Sequence, residues 1–136
     1  MVDTKEQVTE LQGALSQVCG AAIKESSVEL GDLIVTVAPE ALLSVLTSCK
    51  QSAALAFNLL VDITAVDWMD LCTDRFEVVY QLLSISKLWR LTIKVQVSEN
   101  NPEVASATPL WKGANFLERE VWDMFGIRFE GHPNLK

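Results

Sequence analysis

Trp89-Arg90-Leu91-Thr92-Ile93-Lys94-Val95-Gln96-Val97 alternates apolar and polar residues without a break. Successive side chains of a strand point to opposite faces, so this stretch predicts a strand with one wall on a core and the other in water. Just upstream, Phe76, Val78, Tyr80 and Leu82 recur at the same period, and only about Ser86-Lys87 separates the two runs. The pair predicts an antiparallel hairpin. Further upstream, Leu55, Phe57, Leu59, Val61 and Ile63 alternate with Ala56, Asn58, Leu60, Asp62 and Thr64, which predicts another strand.

Helical spacing takes over toward the N-terminus. Val8, Leu11, Leu15, Val18 and Ala22 recur three or four residues apart, behind Thr4-Lys5-Glu6-Gln7, which has the form of a capping box. A helix is expected from there to about Ile23. Val28 to Val37 is interrupted by Gly31-Asp32 and predicts a short hairpin. Pro39 suits a first helical turn, and Leu42, Val45 and Leu46 form one face of a second helix, Ala41 to about Cys49. The order α-β-β-α-β-β-β plus a short C-terminal helix predicts an α+β fold. In it, two layers form one domain, with helices packed on a mixed or antiparallel sheet. Residues 1–110 make the α+β core, and residues 111–136 belong to the same single domain.

The chain has 136 residues, a length suited to one domain, and 49% of them are hydrophobic, enough for a buried core. Eighteen acids against eleven bases give a net charge of −7, which argues against non-specific nucleic-acid binding, since phosphate affinity requires clustered Lys and Arg. Cys19, Cys49 and Cys72 form no C-x-x-C pair, and His132 is the only histidine. A thiolate zinc site, an iron–sulfur cluster and a paired-histidine metal site all lack ligands within the chain. The cysteines are expected to be small core residues, and Trp68 and Trp89 packing residues. Asp67, Asp70 and Asp74 lack the glycine and terminal glutamate of a calcium loop and are expected in a solvated loop. Acids at positions 3, 6 and 10 suit no targeting peptide, and no apolar run approaches the ~20 residues that span a bilayer.

From Ser98 to Asn115 the chain is irregular, a length of loop that is often functional. Asn115-Phe116-Leu117-Glu118 then has the N-x-x-E form of a capping box, with Glu118 as cap, and Gly126 stands where a helix C′ residue belongs. Between them Leu117, Val121, Met124 and Phe125 share one stripe, flanked by Trp122. Arg119, Glu120 and Asp123 lie opposite, with Arg119 and Asp123 spaced to pair. Phe116 falls on the polar side. Gly131-His132-Pro133 predicts a turn, because the residue before proline avoids the helical region. Residues 111–136 hold four acids and four bases, so the whole −7 resides in the first 110 residues.

The block Leu117-Glu118-Arg119-Glu120-Val121-Trp122-Asp123-Met124-Phe125-Gly126-Ile127, followed by Phe129-Glu130-Gly131-His132-Pro133, strongly resembles the signature of one family of respiratory complex I, the proton-translocating NADH:quinone oxidoreductase. That family is its C subunit. Trp111-Lys112-Gly113-Ala114-Asn115 and Val61-Asp62-Ile63-Thr64-Ala65-Val66-Asp67 are similar to the family as well. The motif support runs from about residue 55 to residue 136. The resemblance implies a subunit of the hydrophilic, peripheral arm, on the cytoplasmic side of the inner (plasma) membrane and without a span of its own. It implies no cofactor in this chain; NADH, FMN, iron–sulfur clusters and quinone are expected in partner subunits, and the partners are the peripheral-arm subunits around the quinone site. Its signature residues fall on Glu118, Arg119, Glu120, Asp123, Phe125, Gly126, Gly131, His132 and Pro133. The family continues with a basic, apolar segment and a proline- and lysine-containing tail, so the stop at Lys136 implies a trimmed or short member.

The functional expectation is a non-catalytic docking subunit, with Glu118, Arg119, Glu120, Trp122, Asp123, Arg128, His132 and Pro133 binding the partner and no catalytic, cofactor or metal residue. Trp and Arg are enriched at such interfaces. Three other readings stand beside it. The helix could simply dock on its own sheet. His132 with Glu118 or Glu120 could act as an acid–base pair in an enzyme. The same block could also serve a related membrane-bound hydrogenase or a non-NADH quinone reductase.

Overall fold

A computed structural model describes residues 4–69 and 75–133, with the side chains of Thr4 and Lys5 excepted. Helix α1 (Thr4–Cys19) leads through a tight turn at Gly20–Ala22 into the hairpin β1 (Ile23–Glu29) and β2 (Asp32–Val37). Helix α2 (Leu42–Gln51), entered through Pro39, precedes the strands β3 (Leu59–Asp67), β4 (Phe76–Ser84) and β5 (Trp89–Val97). A short strand β6 (Glu103–Ala105), helix α3 (Ala114–Phe125) and short strand β7 (Arg128–Glu130) complete the order.

The sheet runs β1-β2-β5-β4-β3, antiparallel throughout except where β2 pairs β5 in parallel, so it is mixed. The alternation in β5 does what its sequence requires. Trp89, Leu91, Ile93, Val95 and Val97 are buried and lie opposite Ser84, Leu82, Tyr80, Val78 and Phe76 of β4. On this face Leu11 and Leu15 of α1 and Leu42, Val45, Leu46 and Cys49 of α2 complete one continuous core. Fully burying one such aliphatic or aromatic side chain contributes ~1.5–3 kcal/mol. The opposite face is the polar one, where Thr92 donates to Gln81 Oε1 at 2.9 Å and Lys94 lies 3.9 Å from Glu77. The architecture is thus the expected two-layer α+β fold.

The chain departs from its simple periodicity at four places. The third strand is displaced: Leu55 and Phe57 are buried ahead of it, and β3 begins only at Leu59. Within β3 the register slips between Leu60, which faces Leu82, and Asp62, which faces Gln81. Val61 is the extra residue, so the core-facing positions change from even (Leu60) to odd (Ile63, Ala65), and Val61 is left 57% exposed. A bulge inserts one residue and inverts the alternation, which a strict period of two cannot reveal. α1 ends at Cys19 rather than Ile23, because Gly20 opens the tight turn and Ile23 already pairs with Val37. Trp68, expected to pack, is 37% exposed. The fourth departure is the irregular segment, which contains β6, paired in parallel with β7. Three-residue strands are too short to show a period.

Other expectations resolve in detail. The β1–β2 turn places Leu30 and Gly31 both at positive φ (53° and 85°), as a two-residue hairpin loop that follows the strand twist demands. Asp67 is held by a bidentate pair with Arg75 (2.8 and 2.9 Å), whose third nitrogen reaches Glu99 at 3.0 Å. That guanidinium, aided by the Met69 N–H, holds the Asp67 carboxyl below its ordinary range. Asp70, Asp74 and Cys72, like the Thr4 hydroxyl of the expected capping box, lie outside the described residues and side chains.

Helix α3 stops at Gly126, whose φ of 73° lets its N–H return to the Trp122 carbonyl at 2.9 Å. A Cβ there would meet no atom within 4 Å, so only the backbone conformation opposes a side chain. Gly126→Ala is expected to lower stability by about 1 kcal/mol in urea unfolding, the cost of a left-handed alanine. An unchanged midpoint would show that α3 does not end in this cap.

Candidate functional site

The C-terminal segment is stitched to the loop before it at three levels. Parallel pairing sets Glu103, Val104 and Ala105 beside Arg128, Phe129 and Glu130. Backbone bonds run from Arg128 N–H to Pro102 O (2.7 Å) and from Ser106 N–H to Glu130 O (2.8 Å). Apolar anchors Val104, Ala107, Trp111, Ala114, Val121, Ile127 and Phe129 join the same core as the sheet, and Phe125 meets Phe76 edge to face at 6.4 Å. The Lys50 ammonium also donates to the Leu110 carbonyl, tying α2 to this loop.

Glu118 is the centre of the arrangement, though not as the sequence suggested. α3 begins at Ala114 with Gly113 as its N-cap residue and no side-chain cap, so the N-x-x-E box does not form. The Glu118 side chain is fully buried beneath the helix instead. One carboxylate oxygen accepts from the Ser106 hydroxyl at 2.6 Å and the other from the Ala107 N–H at 2.7 Å. Since Ser106 gives its single proton to the carboxylate, the Thr108 hydroxyl must be the donor in the 2.8 Å contact between those two side chains. Burial pushes the Glu118 carboxyl above its usual range, against the pull of both donors and of nearby His132. Burial, and the proximity of Glu118, likewise hold the Tyr80 hydroxyl well above a normal phenol. A carboxyl with no exposed surface cannot meet a partner directly; Glu118 acts within its own chain.

The remaining residues of the expected set take other positions. Arg119, Glu120 and Asp123 are exposed, and none has a hydrogen bond or ion pair among the described residues. The expected Arg119–Asp123 pair is therefore not formed. Trp122 is half-buried at the flank of the helix, and Pro133 is exposed. Arg128 is exposed and lies 3.8 Å from Glu103. His132 Nε2 sits 2.9 Å from the Asn115 carbonyl, which can only accept, so this nitrogen carries the proton. That bond clamps the Gly-His-Pro turn onto the first turn of α3. Glu118 is sealed below α3, Glu120 is exposed on its outer face, and His132 Nε2 is engaged by the Asn115 carbonyl.

Two apolar residues complete the surface. Met124, expected in the core stripe, is 76% exposed, and Phe116 is 67% exposed. On a helix, positions 116, 119, 120, 123 and 124 fall within one sector, at ~100° per residue. The outer face of α3 therefore presents two large apolar side chains among three unpaired charges. Exposure of Phe116 is legible in the helical wheel; that of Met124 depends on how far α3 rotates over β3. Among the described residues, no group of three His, Cys, Asp or Glu is placed to hold a metal ion.

Comparison with known proteins gives this geometry a context. The family described as "Respiratory-chain NADH dehydrogenase, 30 Kd subunit" matches residues 35–136. The NADH-quinone oxidoreductase C subunit of Trichlorobacter lovleyi is 45% identical over 136 residues, covering 100% of this chain and 80% of that protein. The corresponding protein of Rhizobium rhizogenes is 44% identical over 131 residues, covering 96% of this chain but only 64% of its own length. Among solved structures, the trypsin-resistant fragment (1–134) of Nqo5 superposes with a TM-score of 0.82 at 36% identity, over 93% of this chain and 99% of that one.

Proposed function

This chain belongs to the family of the 30 kDa subunit of respiratory-chain NADH dehydrogenase, and on that basis we propose that it is a docking subunit in the peripheral arm of a proton-translocating NADH:quinone oxidoreductase. In this role it carries no cofactor. NADH, FMN, iron–sulfur clusters and quinone belong to the subunits it joins, foremost those around the quinone site. The names of its relatives favour this complex over a membrane-bound hydrogenase or a non-NADH reductase. Among the described residues no helix is long and apolar enough to cross a membrane. As a subunit of the peripheral arm, the chain is proposed to sit on the cytoplasmic side of the inner membrane. Residues 1–110 and 111–136 act as one domain.

The observation that carries the proposal is the outer face of α3, where Arg119, Glu120 and Asp123 stand unpaired beside exposed Phe116 and Met124. Apolar side chains of this size supply the buried area of an interface, while charges fix register and exclude wrong partners. Trp122, Arg128, His132 and Pro133 extend the surface, and Glu118 holds it from beneath. Arg119→Glu combined with Glu120→Lys is expected to leave the thermal midpoint within about 2 °C, since both side chains are exposed. Co-purification with the neighbouring arm subunits should fall at least about tenfold, the effect of ~1.4 kcal/mol in binding. Retained co-purification overturns the docking surface, and NADH oxidation by the isolated chain would return the enzyme reading.

A further inference from the structure

Two hairpin turns meet at one end of the sheet. β2 and β5 run in parallel with Leu33 beside Leu91, so the turns that precede them lie side by side. The β1–β2 turn is Leu30-Gly31, and the β4–β5 turn is Ile85-Ser86-Lys87-Leu88. Each holds a leucine in the left-handed region, Leu30 at φ 53° and Leu88 at φ 57°. Glycine and asparagine take that conformation readily, whereas a leucine is strained in it. Burial within the chain does not account for the choice: Leu30 is fully exposed and Leu88 is 62% exposed.

Between the two turns and α1 lies a hollow of about 220 Å³, lined by Val8 and Leu11 of α1, Gly31 and Asp32 of the first hairpin, and Leu88 and Trp89 of the second. The buried Leu11 makes its floor apolar. The charges around it are sorted by turn. Glu29 and Asp32 flank Leu30-Gly31, while Lys87 and Arg90 flank Leu88-Trp89, with the Lys87 ammonium 5.6 Å from the Trp89 ring centre. One wall of the hollow is thus acidic and the other basic. No residue of α3 takes part, and β1 lies at the opposite edge of the sheet from β3, the strand on which α3 packs.

Building on the docking role above, we propose that this end of the sheet is a second docking surface, which takes an extended segment of a neighbouring arm subunit. The segment carries one bulky apolar side chain, which fills the hollow between Leu30 and Leu88. A base on one side of that residue faces Glu29 and Asp32, and an acid on its other side faces Lys87 and Arg90. The opposite charges of the two walls fix the direction of the segment, and the apolar side chain supplies the buried area. A lipid surface does not fit, because anionic headgroups would meet the acidic wall. A second copy would bring together two chains of net charge −7. A contact this small is too weak to hold a partner alone. In an assembly already joined through α3, the high local concentration makes it effective.

The test uses the assembled complex containing the whole chain, with the photo-crosslinking residue p-benzoylphenylalanine in place of Leu88. Irradiation should link position 88 to one arm subunit, at a bulky apolar residue that has a base on one side of it and an acid on the other. Adding Leu30→Asn should cut the yield of that link at least about fivefold. The same substitution should raise the Tm of the isolated chain by about 2 °C, because asparagine relieves the left-handed turn. Glu29→Lys combined with Asp32→Lys should cut the yield similarly. A leucine that served only the fold would lower Tm when replaced and leave the link alone. A link only to a second copy, only to lipid or to nothing overturns the proposal, as does a Leu30→Asn chain with unchanged yield or lowered Tm. Those results leave the docking role standing where the native chain co-purifies with the arm subunits, whereas failure of that co-purification ends both.

Discussion

Glu118→Ala should lower the stability of the domain by about 3 kcal/mol, because it removes the acceptor of two buried donors, opens a cavity under α3 and leaves the Ala107 N–H unpaired. The Ser106 hydroxyl can turn to Thr108 Oγ1 at 2.8 Å, whereas the Ala107 N–H points at the place of Glu118, which is sealed from solvent. For a chain of this size the loss corresponds to a fall of about 10 °C in Tm. Glu118→Gln is the informative companion. Its oxygen can accept from Ala107 while its amide donates to Ser106 Oγ, so it should cost only about 1 kcal/mol.

The two variants also separate charge from hydrogen bonding. Burial raises the folded-state Glu118 carboxyl above its ordinary value. The folded chain then binds more protons than the unfolded one in the window just above that value, and stability falls as pH rises through it. Glu118→Gln has no such titration. Urea unfolding from about pH 4.5 upward should therefore show the stability of the native chain declining relative to Glu118→Gln. A constant difference across that range would mean the carboxyl is not desolvated as the burial implies, while an unaffected Glu118→Ala would remove Glu118 from the support of α3 altogether.

Phe129→Ala should be comparably severe. Phe129 is the central residue of β7, 1% exposed, and faces Val104 of β6. Truncating a buried phenylalanine costs ~3–5 kcal/mol in transfer energy and cavity. β7 has only three residues, so little else holds it, and the loss should be concentrated there. Hydrogen exchange should show the Arg128 and Ser106 amides, bonded to Pro102 and Glu130, losing protection together. Phe129→Leu should recover most of the stability, since it keeps an apolar side chain in the gap. Full protection of both amides in Phe129→Ala would mean that the β6–β7 pairing stands without this anchor.

Most of the architecture is legible in the sequence because it follows from local periodicity. The unbroken alternation of β5 and the matching run in β4 specify a hairpin with one buried wall, and the structure keeps both. The β3 boundary escapes such reading for a physical reason. A bulge at Val61 preserves an apolar run while inverting which of its members face the core, and only the pairing to Leu82 and Gln81 exposes the slip. The C-terminal surface divides in the same way. Gly126 announces the end of α3, and the E-R-E block and the Gly-His-Pro turn mark the segment where the docking surface is proposed. Glu118 resembles a cap because spacing alone places it three residues after an asparagine.

By itself, then, the sequence determined the α+β class, the one-sided sheet, the short charged helix near its end and the family to which the chain belongs. These rest on periods and spacings that each segment carries within itself. Tertiary structure alone decided that Glu118 lies under the helix while Arg119 and Glu120 lie above it, and that Met124 faces outward. Each of those outcomes depends on how one element is rotated against another. That rotation is chosen by the joint burial of residues far apart in the chain, such as Phe76 with Phe125 and Val104 with Phe129.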